Sequence, residues 1–157
     1  MRKFFMWFGV AAAALVVILG VVIGIMAWQG SALDRESKAY ADASVLAITK
    51  TWTEDELLKR ASPDLRKSAT PAQIADMFAM LRTTLGPLST YDGSTGQATM
   101  TVGTNAGTRA NYSGKGHFEK GDADIQLTLI KQGDAWMIEA FHLNSPVLLN
   151  KLTEPKT

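Results

Sequence analysis

The sequence predicts an α+β fold, in which three N-terminal helices pack on a curved antiparallel sheet of four to five strands behind one transmembrane helix. Three observations indicate it. An uncharged apolar run opens the chain, helix-capping signals and apolar residues at helical spacing follow, and after Pro87 the apolar period changes from helical to alternating. Helices that precede a run of strands are typical of the α+β class.

The apolar run covers residues 4–28, which contain no Asp, Glu, Lys or Arg. As a helix it would be about 37 Å long, more than the roughly 30 Å of a bilayer's hydrocarbon core. The run therefore predicts a transmembrane helix. The chain is then divided into a cytoplasmic tail (1–3), the transmembrane helix (4–28), a linker (29–33), an extracytoplasmic domain (34–149) and a C-terminal tail (150–157).

Basic residues decide the predicted orientation. Arg2 and Lys3 directly precede the run, and the long polar chain after it can be translocated as a domain. The positive-inside rule then predicts a single-pass protein of the bacterial cytoplasmic (inner) membrane, with its C-terminal domain outside. A signal peptide cleaved near Gly30-Ser31-Ala32 is the alternative, but the apolar run is longer than the roughly 7–15 residues of a signal-peptide core.

Gly20 and Gly24 lie four residues apart within the apolar run. This spacing places two residues without a Cβ on one helix face, so a second helix can approach closely. It predicts a homodimer or a membrane-protein partner through that face. The alternative interpretation is that glycine is simply common in membrane helices.

Composition argues against several classes of site. The chain has no cysteine, which excludes disulfides, thiolate nucleophiles and Cys-based zinc sites. Its formal net charge is +1, and it has no clustered basic stretch of the kind that binds nucleic acid. Neither a glycine-rich phosphate loop nor a hydrolase-type Ser/His/Asp spacing is present. We therefore expect no catalytic residue, no metal, no cofactor and no nucleic-acid partner.

The first two predicted helices precede Pro63. The first covers residues 33–51, and the second starts at Thr53 as N-cap, with Glu56 completing a capping box. Pro63 ends the second helix and can begin a further turn. The first helix carries a weak stripe at helical spacing, made of Tyr40, Ala43, Leu46, Ala47 and Lys50.

The third predicted helix is delimited at both ends. Thr70 is its N-cap, Pro71 its first residue and Gln73 the partner in a capping box, while Gly86 ends it. Its apolar stripe predicts a buried face made of Ile74, Met77, Phe78, Leu81 and Leu85.

Alternation of apolar and polar residues after Pro87 predicts the strands. Short turns join them, as in an antiparallel meander with one buried face. Gly114 and Gly116 stand on the apolar side of their strand, which predicts a bend or bulge and a sheet cupped around the third helix. The strands are expected at residues 97–102, 110–119, 122–131 and 133–146.

This order of elements resembles the NTF2-like (cystatin-like α+β) superfamily over residues 33–149. The closing segment from Gly133-Asp134-Ala135-Trp136 to Asn144-Ser145-Pro146 looks like its last strand. The chain is similar to small bacterial membrane-anchored NTF2-like proteins of unknown function. The resemblance implies a cone between helices and sheet, which serves isomerases, dehydratases and cyclases as well as domains that only bind or assemble. The layout also resembles the VirB8-like subunits of secretion systems.

Polar residues of the last predicted strand are the candidates for a site in this cone. Glu139 and His142 are three residues apart, so in an unbroken strand they face opposite sides. Burial of Glu139 without a partner is costly, so we expect Trp136 to point inward with His142 at the mouth of the cone, and Glu139 to face solvent. Tyr112, Trp136 and His142 are the candidate ligand-binding residues. His117 alternates with polar residues and is expected to face water.

These observations leave three functional hypotheses. The preferred one is a membrane-anchored, non-catalytic domain for binding or assembly, because the polar inventory of the expected cone is small. The second is a small-ligand binder or enzyme that uses the cone. The third is a VirB8-like subunit for the assembly of a secretion system.

Overall fold

The computed structural model of the protein describes Val21, residues 31–101 and residues 106–153. The chain divides into two compact units, Met1–Leu33 and Asp34–Thr157. Apart from Val21, the predicted transmembrane helix over 4–28 lies outside the described residues, and so do Gly20 and Gly24. Within the described residues, no helix is both long and apolar enough to cross a membrane.

The second unit is an α+β fold in which helices pack on a four-stranded antiparallel sheet. The described part of the chain has four helices before the sheet rather than three, because the turn that begins at Pro63 is a separate helix. A fifth helix follows the sheet and occupies part of the expected C-terminal tail. The elements are α1 (residues 31–51), α2 (Glu54–Leu58), α3 (Pro63–Ser68), α4 (Pro71–Leu85), β1 (Leu88–Thr101), β2 (Gly107–Phe118), β3 (Gly121–Gln132), β4 (Ala135–Asn144) and α5 (Pro146–Thr153).

The sheet is a meander in the order β1-β2-β3-β4, with each strand antiparallel to the next. Strand β1 begins at Leu88, well before the expected residue 97. The prediction missed its first half because that half is polar and lacks the alternating pattern. We call the buried side of the sheet the inner face and the opposite side the outer face. The inner face of the last three strands carries Ala110, Tyr112, Phe118, Ala123, Ile125, Leu127, Leu129, Trp136 and Ile138.

The two glycines of β2 allow close packing rather than forming a bulge of their own. The irregular pairing lies in the neighbouring strand β1, between Leu88 and Thr90 and again between Tyr91 and Ser94. A Cβ on Gly114 would come within 2.7 Å of the Tyr91 hydroxyl, and one on Gly116 within 2.9 Å of the Phe118 ring. The bend predicted from these glycines is therefore placed in β1, because a bulge bends the strand that carries it.

Helix α4 forms as its end signals predict. The Thr70 hydroxyl accepts a hydrogen bond from the Gln73 amide, and the Gln73 side chain accepts one from the Thr70 amide. Gly86 ends the helix at φ 75°, a conformation that glycine adopts without strain. The predicted stripe is buried at Ile74, Phe78, Leu81 and Leu85, but Met77 is 40% exposed.

Helix α1 forms where it was predicted, but its buried face is not the weak stripe visible in the sequence. Leu46 is 46% exposed, and Ala43 and Lys50 also face solvent. Because the buried face carries several hydroxyl groups, its residues do not form an apolar stripe in the sequence. The buried residues are Ser37, Ala41, Ser44, Val45, Ile48 and Thr49.

Acidic residues of α1 bind the free edge of β1. An Asp34 carboxylate oxygen accepts a hydrogen bond from the Ala98 amide at 2.7 Å, and Asp42 accepts one from the Ser94 amide at 2.8 Å. Burial favours a higher pKa for Asp42, but hydrogen bonds from Lys38 and Ser94 outweigh it and leave the pKa below its ordinary value. The outermost strand thus has some of its exposed donors satisfied by a helix, which protects a sheet edge from pairing with another chain.

Trp52 joins the end of α1 to α4 and the sheet. Its ring lies 5.6 Å from Phe78 and 5.7 Å from Phe118, and its indole N–H donates to the Gly86 carbonyl at 3.2 Å. Its backbone is left-handed at φ 48°. The predicted Thr53 capping box is wrong, since the Thr53 side chain makes no cap hydrogen bond at the start of α2. Burial of Trp52 fixes this junction instead.

We expect Trp52→Ala to lower the free energy of unfolding by about 3–5 kcal/mol, because it removes a buried indole and leaves a cavity. Trp52→Gly removes the same contacts but relieves the left-handed backbone, so it should be less destabilised than the alanine variant by about 1 kcal/mol. Denaturant unfolding followed by circular dichroism measures both. Met100→Ala, at a side chain that is 61% exposed, is the control. Equal stability of the Ala and Gly variants would mean that the left-handed backbone at residue 52 is not strained.

Candidate functional site

The last strand contains a bulge at Glu139. Leu129 pairs with Ile138 and Thr128 pairs with Ala140, so Glu139 has no partner in β3. The extra residue reverses the alternation of side chains beyond it. The expectation that Glu139 and His142 face opposite sides is therefore wrong, because it assumed an unbroken strand.

Glu139 lies on the outer face, as expected, and has a partner there. The Arg109 guanidinium donates to both carboxylate oxygens of Glu139, at 3.0 and 3.1 Å. Bidentate pairing of this kind is geometrically specific. It holds the bulged residue on the outer face of the sheet.

Of the three predicted ligand-binding residues, Tyr112 and His142 both line a cavity of about 360 Å³, but Trp136 is not in its lining. Tyr112 and Trp136 are 3% and 5% exposed on the inner face, whereas His142 is exposed on the outer face opposite Gln126. The Tyr112 hydroxyl lies 2.8 Å from the Ser37 hydroxyl and donates to the Asp34 carbonyl, so it attaches α1 to the sheet.

Trp136 points inward, as expected, and lies beside an ion pair. The Lys131 ammonium is 5.4 Å from the centre of the Trp136 ring and donates to Glu36 on α1 at 2.8 Å. The Lys131 hydrogen bond holds the pKa of the Glu36 carboxyl below its ordinary value. Trp136 therefore packs under a contact between α1 and β3.

A cavity with a mostly apolar lining lies between α4, the end of β4 and α5, and of the three predicted residues it includes only His142. We call it the α4–β4 groove. Its volume is about 540 Å³. Helix α4 contributes residues at i, i+3, i+4 and i+7, which form one helix face. The lining residues are Met77, Met80, Leu81, Thr84, Phe141, His142, Leu143, Asn144, Ser145, Leu148 and Leu149.

The bulge at Glu139 gives the groove its apolar wall. Beyond the bulge, Phe141 pairs with Leu127 and Leu143 with Ile125, so both side chains lie on the inner face. Without the extra residue, alternation would place His142 there instead. Met77 and Met80 remain 40% and 43% exposed across the groove.

The groove is suited to binding rather than to proton transfer. Among the described residues that line it, His142 is the only one with an ionisable side chain. The Ser145 hydroxyl is already engaged, since it donates to the Asp122 carbonyl at 2.6 Å and accepts from the Val147 amide. In the described part of the chain, no three His, Cys, Asp or Glu side chains converge as a metal site would require.

Sequence reasoning missed this groove for two reasons. Met77 belongs to an apolar stripe, and a stripe alone predicts a core contact. The sequence pattern predicts no helix after Pro146, yet α5 forms there and supplies Leu148 and Leu149 to the groove. The available signal was an apolar pair that follows Ser145-Pro146, a typical helix start.

A charged cluster on the outer face centres on His117. The His117 ring lies 2.8 Å from Asp122 and 3.3 Å from Asp92, so three neighbouring strands each supply one member. The hydrogen bond to Asp122, and to a smaller extent the one to Asp92, raises the pKa of His117. As expected, the ring is partly open to solvent on the outer face. The cluster is a solvated electrostatic contact.

Comparison with known proteins finds no matching family model, no matching curated protein and no matching solved structure.

Protonated His117 should stabilise the fold. Because its pKa in the folded protein is raised above the ordinary value near 6.5, this stabilisation is present below about pH 6.5 and is lost as pH rises through the folded pKa. We expect the imidazole NMR shift of His117 to titrate at a lower pH in Asp122→Asn than in the wild type. His117→Gln should remove the corresponding change of Tm with pH, and His142→Gln is the control. An unchanged titration in Asp122→Asn would contradict the contact.

Proposed function

We propose that this chain is a membrane-anchored, non-catalytic binding protein, whose NTF2-like domain lies outside the bacterial cytoplasmic membrane and takes an apolar guest in the α4–β4 groove. The groove is the observation that carries the proposal. It combines an apolar lining with few polar groups, the usual composition of a binding site. Its volume falls within the roughly 300–1,000 Å³ of such sites.

The exposed methionines of α4 support a binding role. Met77 and Met80 leave apolar surface in water although neighbouring positions of the same helix are fully buried. Methionine is unbranched and polarizable, so it adapts to guests of different shape. An enzyme would need a polar group shielded beside the reacting atoms, whereas His142 lies at an exposed rim.

Membrane anchoring and family rest on other observations. The uncharged run over 4–28, preceded by Arg2 and Lys3, supports a single span with the domain outside. The succession of helices and an antiparallel meander supports an NTF2-like assignment. Placement beside a membrane would bring the groove close to other membrane proteins.

Purification of the full-length protein from its own membranes in mild detergent tests the proposal. We expect a stoichiometric guest, identified by mass spectrometry, to accompany the wild type. Met80→Glu should reduce it by about tenfold or more, because a carboxylate in an apolar contact is desolvated. Met100→Glu changes an exposed methionine outside the groove and should retain the guest.

Both variants should keep the wild-type Tm, because both methionines are substantially exposed. Equal amounts of guest in the two variants, or no guest in the wild type, would contradict the proposed function.

A further inference from the structure

One wall of the α4–β4 groove is the edge of a β-strand. The groove is lined by five successive residues, Phe141 to Ser145. Four of them, Phe141–Asn144, belong to β4, whose side chains alternate between its two faces, so a cavity that touches all four extends around the strand's edge. Strand β4 is the last strand of the sheet, and this edge is the one that faces away from β3.

Part of this edge is already paired. The Ile138 amide donates to the Arg60 carbonyl at 2.7 Å, and the Ser62 amide donates to the Ile138 carbonyl at 2.8 Å. Ala61 thereby forms a parallel bridge to Ile138. The segment between α2 and α3 thus pairs with β4 at a single residue, in the position that a fifth strand would occupy.

The pairing stops after Ile138. For Phe141–Asn144, the described part of the chain contains no backbone hydrogen bond on the side away from β3. Alternate residues of this stretch direct an N–H and a C=O toward that side. An open strand edge is a template for another extended chain.

We propose that the guest of the groove is an extended peptide segment with apolar side chains, which binds as an added strand along Phe141–Asn144 and continues the line begun by Ala61; this inference rests on the proposed function. The guest's backbone would satisfy the open edge of β4. Every second side chain would reach Met77 and Met80 on the opposite wall. This is the general mode of β-strand addition, in which main-chain hydrogen bonds supply affinity and alternate pockets supply specificity.

Three features favour a single extended segment over other guests. A lipid chain could fill the apolar wall but could not pair with backbone N–H and C=O groups. The open edge from Phe141 to Asn144 is about 13 Å long at roughly 3.3 Å per residue, which matches a peptide of about four residues. Helix α4 lies directly across the groove. A single strand therefore fits beside β4, whereas the sheet of a second copy would collide with the helix.

The experiment uses the full chain in lipid-bilayer discs. A phage-displayed library of random nonapeptides is selected against the wild type and counter-selected against Met80→Glu, with Met100→Glu as the matched control. Each selected peptide is synthesised in three forms: unmodified, N-methylated at odd positions and N-methylated at even positions. N-methylation removes a backbone donor, and only alternate donors of an added strand face β4.

We expect one N-methylated form to bind about tenfold or more weakly than the unmodified peptide and the other to bind nearly as well. Backbone amide exchange within Phe141–Asn144 should slow on binding, while exchange in β1 should not change.

Three results would overturn the inference. Equal binding of all three forms would mean recognition by side chains alone, and equal loss in both methylated forms would indicate a helical guest. Failure of the library to yield any peptide sensitive to Met80→Glu would exclude a peptide strand. In each case the native co-purification still decides the proposed function separately, because it detects an apolar guest of any class.

Discussion

The whole arrangement depends on the burial of Trp52. The chain leaves α1 through a left-handed residue, and the indole is held between Phe78 of α4 and Phe118 of β2. Its N–H also fixes the Gly86 carbonyl, just where α4 ends and the chain turns toward β1. One side chain therefore sets the position of α4 relative to the sheet. The same position sets the distance between α4 and β4 across the α4–β4 groove.

The two edges of the sheet are treated differently. At β1, carboxylates of Asp34 and Asp42 accept hydrogen bonds from strand amides. At β4, Ala61 pairs with Ile138, and the pairing ends there within the described residues. Exposed strand edges are normally blunted because they promote aggregation. The open edge beside an apolar wall, opposite a covered edge, is the observation that supports the proposed binding role.

Local signals predicted the parts of the fold that local contacts determine. The capping box of Thr70 and Gln73 forms within four residues, so the start of α4 could be predicted from the sequence. The buried face of α1 could not, because Ser37 is buried through a hydrogen bond to Tyr112, far away in the chain. The Thr53 capping box failed since the burial of Trp52 determines that junction. Composition and alternation do not reveal such long-range contacts.

The candidate site depends on one residue that no periodic pattern could predict. A bulge adds a residue without changing the composition of its strand, so the alternation around Glu139 looks regular in the sequence. The bulge moves His142 to the outer face and brings Phe141 and Leu143 to the inner face. Arg109, on β2, pairs with the extra carboxylate on the outer face of the sheet. The same bulge thus moves the predicted polar group away from the inner face and builds the apolar wall of the groove.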